Sequence, residues 1–384
     1  MADAIEILDA LPRVVESVVA PAAADVDRDG TFPEASLTAL ADIGVLGLVS
    51  ADDVGGAGGG LAEAAAAIEQ LAAVCGSTAM VVLMHYAATS LIETSGAESL
   101  RREIASGGHL TTLAFSEAGS RSHFWAPQST ATAAGDEVVL DARKSWVTAS
   151  GHARTYVWSS TPVAAEGPMT LWAVPADTPG LRVVADGFDG FGLRGNESTP
   201  VVAEGARIPA AALLGADGAG LDQALQVVLP WFLVLSAAFS VGLSETVVDE
   251  TRRHLLTTRL EHLDHSLAQE PIQRLEFAKL RIDVDRTRAF LGDTLAALGS
   301  GRADAMLRVL EVKAVAAESA ADVTDAAMKL CGGAAFRKEV GIERRFRDAR
   351  AARVMAPTTD ALLDIVGRAV FELPLLGPVV EGEV

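Results

Sequence analysis

Apolar side chains recur at helical spacing over residues 5–19, interrupted at Pro12, and again over residues 61–73. Between them Phe32-Pro33-Glu34 starts a second helix. From residue 111 the pattern changes to short extended runs, at 111–115, 129–133, 138–140, 145–148, 155–159, 170–174 and 181–185. Gly135-Asp136 and Asp177-Thr178-Pro179-Gly180 supply turns among them, so a small antiparallel barrel or sandwich is predicted. Beyond Gly220 the helical period resumes over 221–255, 271–298, 303–331 and 358–371. The order predicts an α+β, mostly α chain of three units. They are an N-terminal helical domain (1–110), a middle antiparallel β-domain (111–215) and a C-terminal four-helix bundle (216–384).

At 384 residues the chain exceeds one ordinary core, which agrees with that division. Net charge is −20, from 51 acidic against 31 basic residues, which argues against nucleic acid or an anionic membrane as partner. Residues 227–243 are apolar enough to raise a membrane span. They contain Pro230, Ser236 and Ser240 within a longer helical pattern, and a helix buried on all sides fits better. Cys75 and Cys331 sit in apolar surroundings and read as buried small side chains rather than a disulfide framework. The N-terminus carries acids where a signal peptide would carry bases, so a cytoplasmic protein is expected. The Gly-rich break at 53–60 lacks the Lys-Ser/Thr of a phosphate loop and reads as a turn allowing close helix approach. No metal site is read.

Gly332-Gly333, then Arg347-Asp348-Ala349-Arg350, then Thr358 opening a last helix, resembles the acyl-CoA dehydrogenase signature. Phe115-Ser116-Glu117-Ala118-Gly119-Ser120-Arg121-Ser122 is similar to that family's flavin loop, and Lys144-Ser145-Trp146-Val147-Thr148 to its Lys-x-Trp-Ile-Thr strand. Helices, a β-domain and a bundle are also the family's layout, so the resemblance covers nearly the whole chain. It implies FAD, held by Phe115, Ser116 and Ser122 from the loop and by Trp146 and Thr148 from the strand. Trp146 and Thr148 alternate with Val147, as two faces of a strand require. Arg259, Lys329, Gly332 and Gly333 correspond to groups that reach a neighbouring copy's FAD, which implies a homodimer or a dimer of dimers. Thr358 and Asp360 fall on cofactor-side positions, with Asp360 also expected to cap the last helix and Pro357 to be its first residue.

The resemblance departs at one place that matters. Counting forward from Arg350 puts Met355-Ala356-Pro357-Thr358 on the family's Tyr-Glu-Gly-Thr, whose Glu removes the substrate's α-proton. Some members carry that base on the helix corresponding to 220–255, where this chain has Pro230-Trp231-Phe232-Leu233. Both positions are apolar, and a positioned base typically contributes about 10²–10⁴ in rate. Among the ionisable groups, His85 reads as a core histidine and His123, beside the flavin-loop serine, as the candidate catalytic residue. The favoured expectation is a reduced-flavin-dependent monooxygenase whose pocket is walled by Trp231, Phe232, Met355 and Ala356, served by a flavin reductase. The alternatives are an acyl-CoA or acyl-carrier desaturase with a relocated base, served by an electron-transfer flavoprotein, and a silent subunit completing a partner's flavin site.

Overall fold

The computed structural model describes residues 2–120, 123–184 and 188–377. Helix α1 (Ala4–Val14) opens on a capping box: the Asp3 carboxylate accepts the N–H groups of Ile5 and Glu6, and Glu6 accepts that of Asp3. Pro12 does not end the helix, which passes through one wide turn (Val15–Val19) into α2 (Ala20–Asp29). Then follow α3 (Glu34–Asp42), α4 (Leu61–Val74), α5 (Gly76–Ser95) and α6 (Glu98–Ala105). The glycine break before α4 packs as a close approach, since a Cβ on Gly56 would lie 2.0 Å from the Ser50 carbonyl oxygen.

The middle of the chain forms two four-stranded sheets. One takes β1 (Thr111–Ala114), β4 (Thr155–Ser160), β5 (Thr170–Pro175) and β8 (Leu213–Leu214) in the order β1-β4-β5-β8. The other takes β2 (Thr130–Ala134), β3 (Glu137–Val147), β7 (Thr199–Pro209) and β6 (Leu181–Val183) in the order β2-β3-β7-β6. Trp158 and Trp172 fill the core between them. The pairings are antiparallel except β1 with β4, which is parallel, and this corrects the all-antiparallel expectation. Between these strands the chain makes the β2–β3 hairpin in the other sheet, and that crossover returns β4 in the direction of β1. The runs at 138–140 and 145–148 join in β3, and the run at 181–185 yields β6, with residue 185 outside the described residues. Strand β7 is absent from the sequence pattern, because Pro200, Gly205 and Pro209 punctuate it.

Helices α7 (Gly220–Gln223) and α8 (Leu229–Thr257) form one long helix through a second wide turn. Among the described residues Gly220–Thr257 is one helix long and apolar enough to cross a membrane, yet 89% of its apolar window is buried inside the fold. Where α8 crosses α4, a Cβ on Gly242 would stand 2.1 Å from the Glu69 carbonyl oxygen. A short hairpin of β9 (Arg259–Leu260) and β10 (His265–Ser266) leads to α9 (Pro271–Ser300), α10 (Ala305–Cys331), α11 (Ile342–Val354) and α12 (Thr359–Val370).

The Arg-rich segment, which the periodicity leaves unassigned, is α11, and there the three parts of the chain meet. Arg347 pairs with Asp27 of α2 through two bonds of 2.8 and 2.6 Å and donates to the Phe191 carbonyl. Asp348 accepts the Leu193 N–H at 2.6 Å. Arg345 bonds Glu250 of α8 and the Ala73 carbonyl. Burial pushes the Asp348 carboxyl up to about 6.

Candidate functional site

Strand β3 carries the first part of the site. Its register against β7 slips between Lys144 and Val147, and Trp146 sits in the slip at φ +57°. A bulge of this kind re-aims a side chain. Lys144 and Trp146 would share a face in a regular strand, yet Lys144 is buried and Trp146 is 70% exposed. The expected alternation therefore fails: Val147 and Thr148 are both buried, and the Thr148 hydroxyl meets that of Ser198 at 3.0 Å. The loop after β1 lies alongside, the Ser116 carbonyl accepting the Ser145 N–H at 2.9 Å. Phe115 packs into the main helical core. Ser120 presents a buried hydroxyl without a partner among the described residues. Ser122 lies outside the described residues. His123 is exposed, its ring edge-on to Trp125 at 5.0 Å and Nδ1 3.2 Å from the Ser120 carbonyl oxygen.

Beneath this surface is an ion pair that the sequence motifs contain but do not explain. Glu117 Oε1 accepts from Lys144 Nζ at 2.5 Å and from Ser129 Oγ at 2.6 Å. Its Oε2 accepts the N–H groups of Gln128 and Ser129 at 2.6 and 3.0 Å. Lys144 Nζ also donates to the carbonyl and hydroxyl of Ser159, at 2.7 and 2.9 Å. Burial pushes the Lys144 amine down to about 8, and Glu117 opposes the shift.

A second group lies in the bundle. Arg259 is exposed and bonds the side chain and carbonyl of Asp264 in its own hairpin, at 2.5 and 2.9 Å. Lys329 is exposed near the end of α10, 4.0 Å from Glu276. The turn Gly332–Phe336 follows, and a Cβ on Gly332 or Gly333 would meet nothing within 4 Å. Leu256, Leu263, Ile272 and Leu275 are exposed along the segment around Arg259, and Phe336 is exposed to 79% on the turn after Lys329.

The third group joins the two positions where the base was sought. Lys313, wholly buried on α10, donates to the carbonyls of Ala352, Met355 and Pro357 at 3.0, 3.0 and 2.8 Å. It thereby caps the unpaired end of α11. The same amine stands 5.9 Å from the centroid of Phe232. Phe232 and the 355–357 turn therefore flank one buried amine, which burial pushes down to about 7. Trp231 and Met355 are half-buried against the same core. The last helix is capped by Thr358, whose hydroxyl accepts the Ala361 N–H at 3.4 Å. Asp360 is exposed in its first turn and does not cap it, and Pro357 precedes the cap instead of opening the helix. His85 is a core residue, as expected. Nδ1 accepts the Thr111 N–H at 3.1 Å, so Nε2 donates to the Leu46 carbonyl at 2.8 Å, and burial pushes the ring down to about 4.

These features suit FAD. An exposed indole, a buried hydroxyl without a partner among the described residues and glycines with open space are what a flat ring with polar edges and a pyrophosphate tail requires. In comparisons with known proteins, profiles described as the acyl-CoA dehydrogenase N-terminal, middle and C-terminal domains match residues 2–107, 112–206 and 218–371. A probable acyl-CoA dehydrogenase of Bacillus subtilis is 28% identical over 363 residues, covering 91% of this chain and 93% of its own. The cyclohex-1-ene-1-carbonyl-CoA dehydrogenase of Geobacter metallireducens is 27% identical over 370 residues, covering 94% and 96%. The solved butyryl-CoA dehydrogenase of Megasphaera elsdenii superposes with a TM-score of 0.89 at 20% identity, over 97% of this chain and 99% of that one. Dehydrogenase names run through these relatives, and the oxygenase expectation draws no support from them.

Proposed function

Because the chain belongs to the acyl-CoA dehydrogenase family, and is thereby an FAD-dependent oxidoreductase, we propose that it desaturates the Cα–Cβ bond of an acyl thioester. The thioester is carried on CoA or on an acyl-carrier protein, and the proton acceptor has moved from position 356. FAD, when bound, supplies the hydride acceptor. The observation that carries the flavin half of this reading is Trp146, a large aromatic turned outward from a buried framework beside Ser116. Ser116, Thr148 and the backbone of 115–118 would hold the ring's polar edge, with Trp146 against it. A second copy would contribute Arg259, Lys329, Gly332 and Gly333, a role supported by the apolar side chains exposed around them.

Ala356 and Phe232 cannot take a proton, whereas Lys313, pushed down to about 7 by burial, is held among three carbonyls that favour its protonated form. His85 is spent on Leu46 and Thr111, so His123 is the acceptor to test first, ahead of Lys313 and the exposed Asp360. Apolar walls at Trp231, Phe232, Met355 and Ala356 favour the second reading, oxygenation with reduced flavin. Anaerobic mixing of the FAD-loaded protein with a panel of acyl-CoAs and an acyl-carrier thioester separates the two. Bleaching of the flavin by at least one thioester is expected. A flavin that stays oxidised with all of them, in a protein that consumes O₂ when given reduced flavin and an apolar substrate, would select oxygenation.

A further inference from the structure

We propose that Glu117 and Lys144 are a positioning pair for the flavin, clamping the loop that carries Ser116 to the strand that carries Trp146. The proposal rests on the flavin reading above. Both groups are almost completely buried, Lys144 at 1% exposure and Glu117 at 3%. Between them they tie four segments together: the 115–120 loop, the approach to β2 at Gln128 and Ser129, β3 through Lys144, and β4 through Ser159.

A buried ion pair is a poor stabiliser, because desolvation offsets the attraction, and apolar replacements are often neutral or better. What such a pair provides is register. Ser116 and Glu117 are adjacent, and the Ser116 carbonyl is bonded to Ser145, next to Lys144. Glu117 and Lys144 also face each other as an isolated antiparallel bridge. Lys144 holds β3 inward up to the residue where the register slips, and Val147 resumes pairing with Thr199 beyond it. Trp146 is turned outward between these two fixed points. Without the inward anchor, the Ser145–Ser116 backbone bond is the one described loop-side contact of the 144–146 segment left to oppose a return to regular alternation, which would put position 146 on the buried face. The pair thus sets the spacing of the two segments that the flavin must span, without touching it.

The test is FAD titration of the apoprotein, for the wild type, Glu117→Gln, Lys144→Met and the double variant Glu117→Leu/Lys144→Met. Far-UV circular dichroism and melting are recorded in parallel. The double variant avoids leaving one buried charge alone, so it is the one expected to fold, melting lower than the wild type because the Gln128 and Ser129 N–H groups lose their acceptor. It should bind FAD at least about tenfold more weakly. At saturating FAD it should show a changed visible circular dichroism of the flavin, which a purely structural pair would not move. Ser159→Ala keeps the pair and should stay within about threefold of the wild type. A folded double variant with wild-type FAD affinity and flavin dichroism overturns the proposal. A double variant that cannot fold also overturns it, by assigning the pair to stability. Failure of the wild type itself to bind FAD would instead remove the flavin reading on which the proposal rests.

Discussion

Replacing Lys313 with methionine should make the stability difference from the wild type grow with pH, and the sign follows from where the amine is buried. Its folded-state value falls from 10.5 to about 7 because burial disfavours the charged form. Below pH 7 both folded and unfolded chains hold the proton, and the fold carries the whole desolvation cost. Between pH 7 and 10.5 only the unfolded chain holds it, so that cost is recovered as pH rises. At about 1.4 kcal/mol for each factor of ten, burial alone accounts for at most about 5 kcal/mol. The three carbonyls at the negative end of α11 and the face of Phe232 favour the cation. They return part of that cost, so about 2–3 kcal/mol of pH-dependent stability is expected from this one residue. Methionine keeps the volume but leaves three carbonyls short of a donor, a loss of about 1–3 kcal/mol for each that water cannot reach. Urea denaturation of both proteins at pH 6.5, 8 and 9.5 measures the difference. Lys313→Met should be destabilised throughout, and by about 2 kcal/mol more at pH 9.5 than at pH 6.5. A gap that stays constant within about 0.5 kcal/mol would refute the assignment of a perturbed, carbonyl-held amine.

Trp146→Ala should leave stability within about 0.5 kcal/mol, because the ring is exposed, while weakening FAD binding or shifting the flavin absorption bands. An unchanged titration and spectrum would remove Trp146 from the site. Ala356→Glu restores a carboxylate at the family's proton-abstracting position and should raise the rate of anaerobic flavin bleaching by an acyl-CoA, within the range of about 10²–10⁴ that a positioned base supplies. No rise in a folded variant would show that the substrate's α-carbon no longer meets this turn. Arg347→Ala leaves Asp27 without its two bonds in a buried setting and should cost about 3–5 kcal/mol by denaturant titration. Phe336→Asp, on the exposed turn after α10, should shift light-scattering mass toward the monomer and weaken FAD binding in parallel. Loss of self-association with full FAD affinity would contradict the two-chain site.

The layout was readable because it depends on period, and period survives substitution. Helical spacing, then short alternating runs, then helical spacing again located the sandwich and α8 without reference to any particular contact. What escaped depends on single residues whose effect is geometric. The bulge at Trp146 follows from a register slip between distant strands, so local alternation put Thr148 on the wrong face. Glu117 and Lys144 are 27 residues apart and look like ordinary loop and strand polars until the sandwich closes. Lys313 did leave a signal. It stands on a stripe with Val309, Ala316 and Ala320, all fully buried, where a lone lysine must find several acceptors. An acid near a helix start reads as a cap, yet Asp360 lies inside the first turn and the hydroxyl of Thr358 is the group in reach of a free N–H.

The meeting of three domains at α11 also bears on the order in which the protein is made. Arg347 and Asp27 are 320 residues apart, and Asp348 and Leu193 are 155 apart. During synthesis the N-terminal helices and the sandwich emerge first and fold as units. Their docking partners on α11 have not yet been synthesised at that stage. Asp27 and the Leu193 N–H must therefore wait in water, and the long apolar α8 must wait for α9 and α10 to cover it. The contacts of α11 are the last to close, so a nascent chain stalled before residue 271 would present a finished sandwich beside an α8 that α9 and α10 do not yet cover, a substrate for holding chaperones.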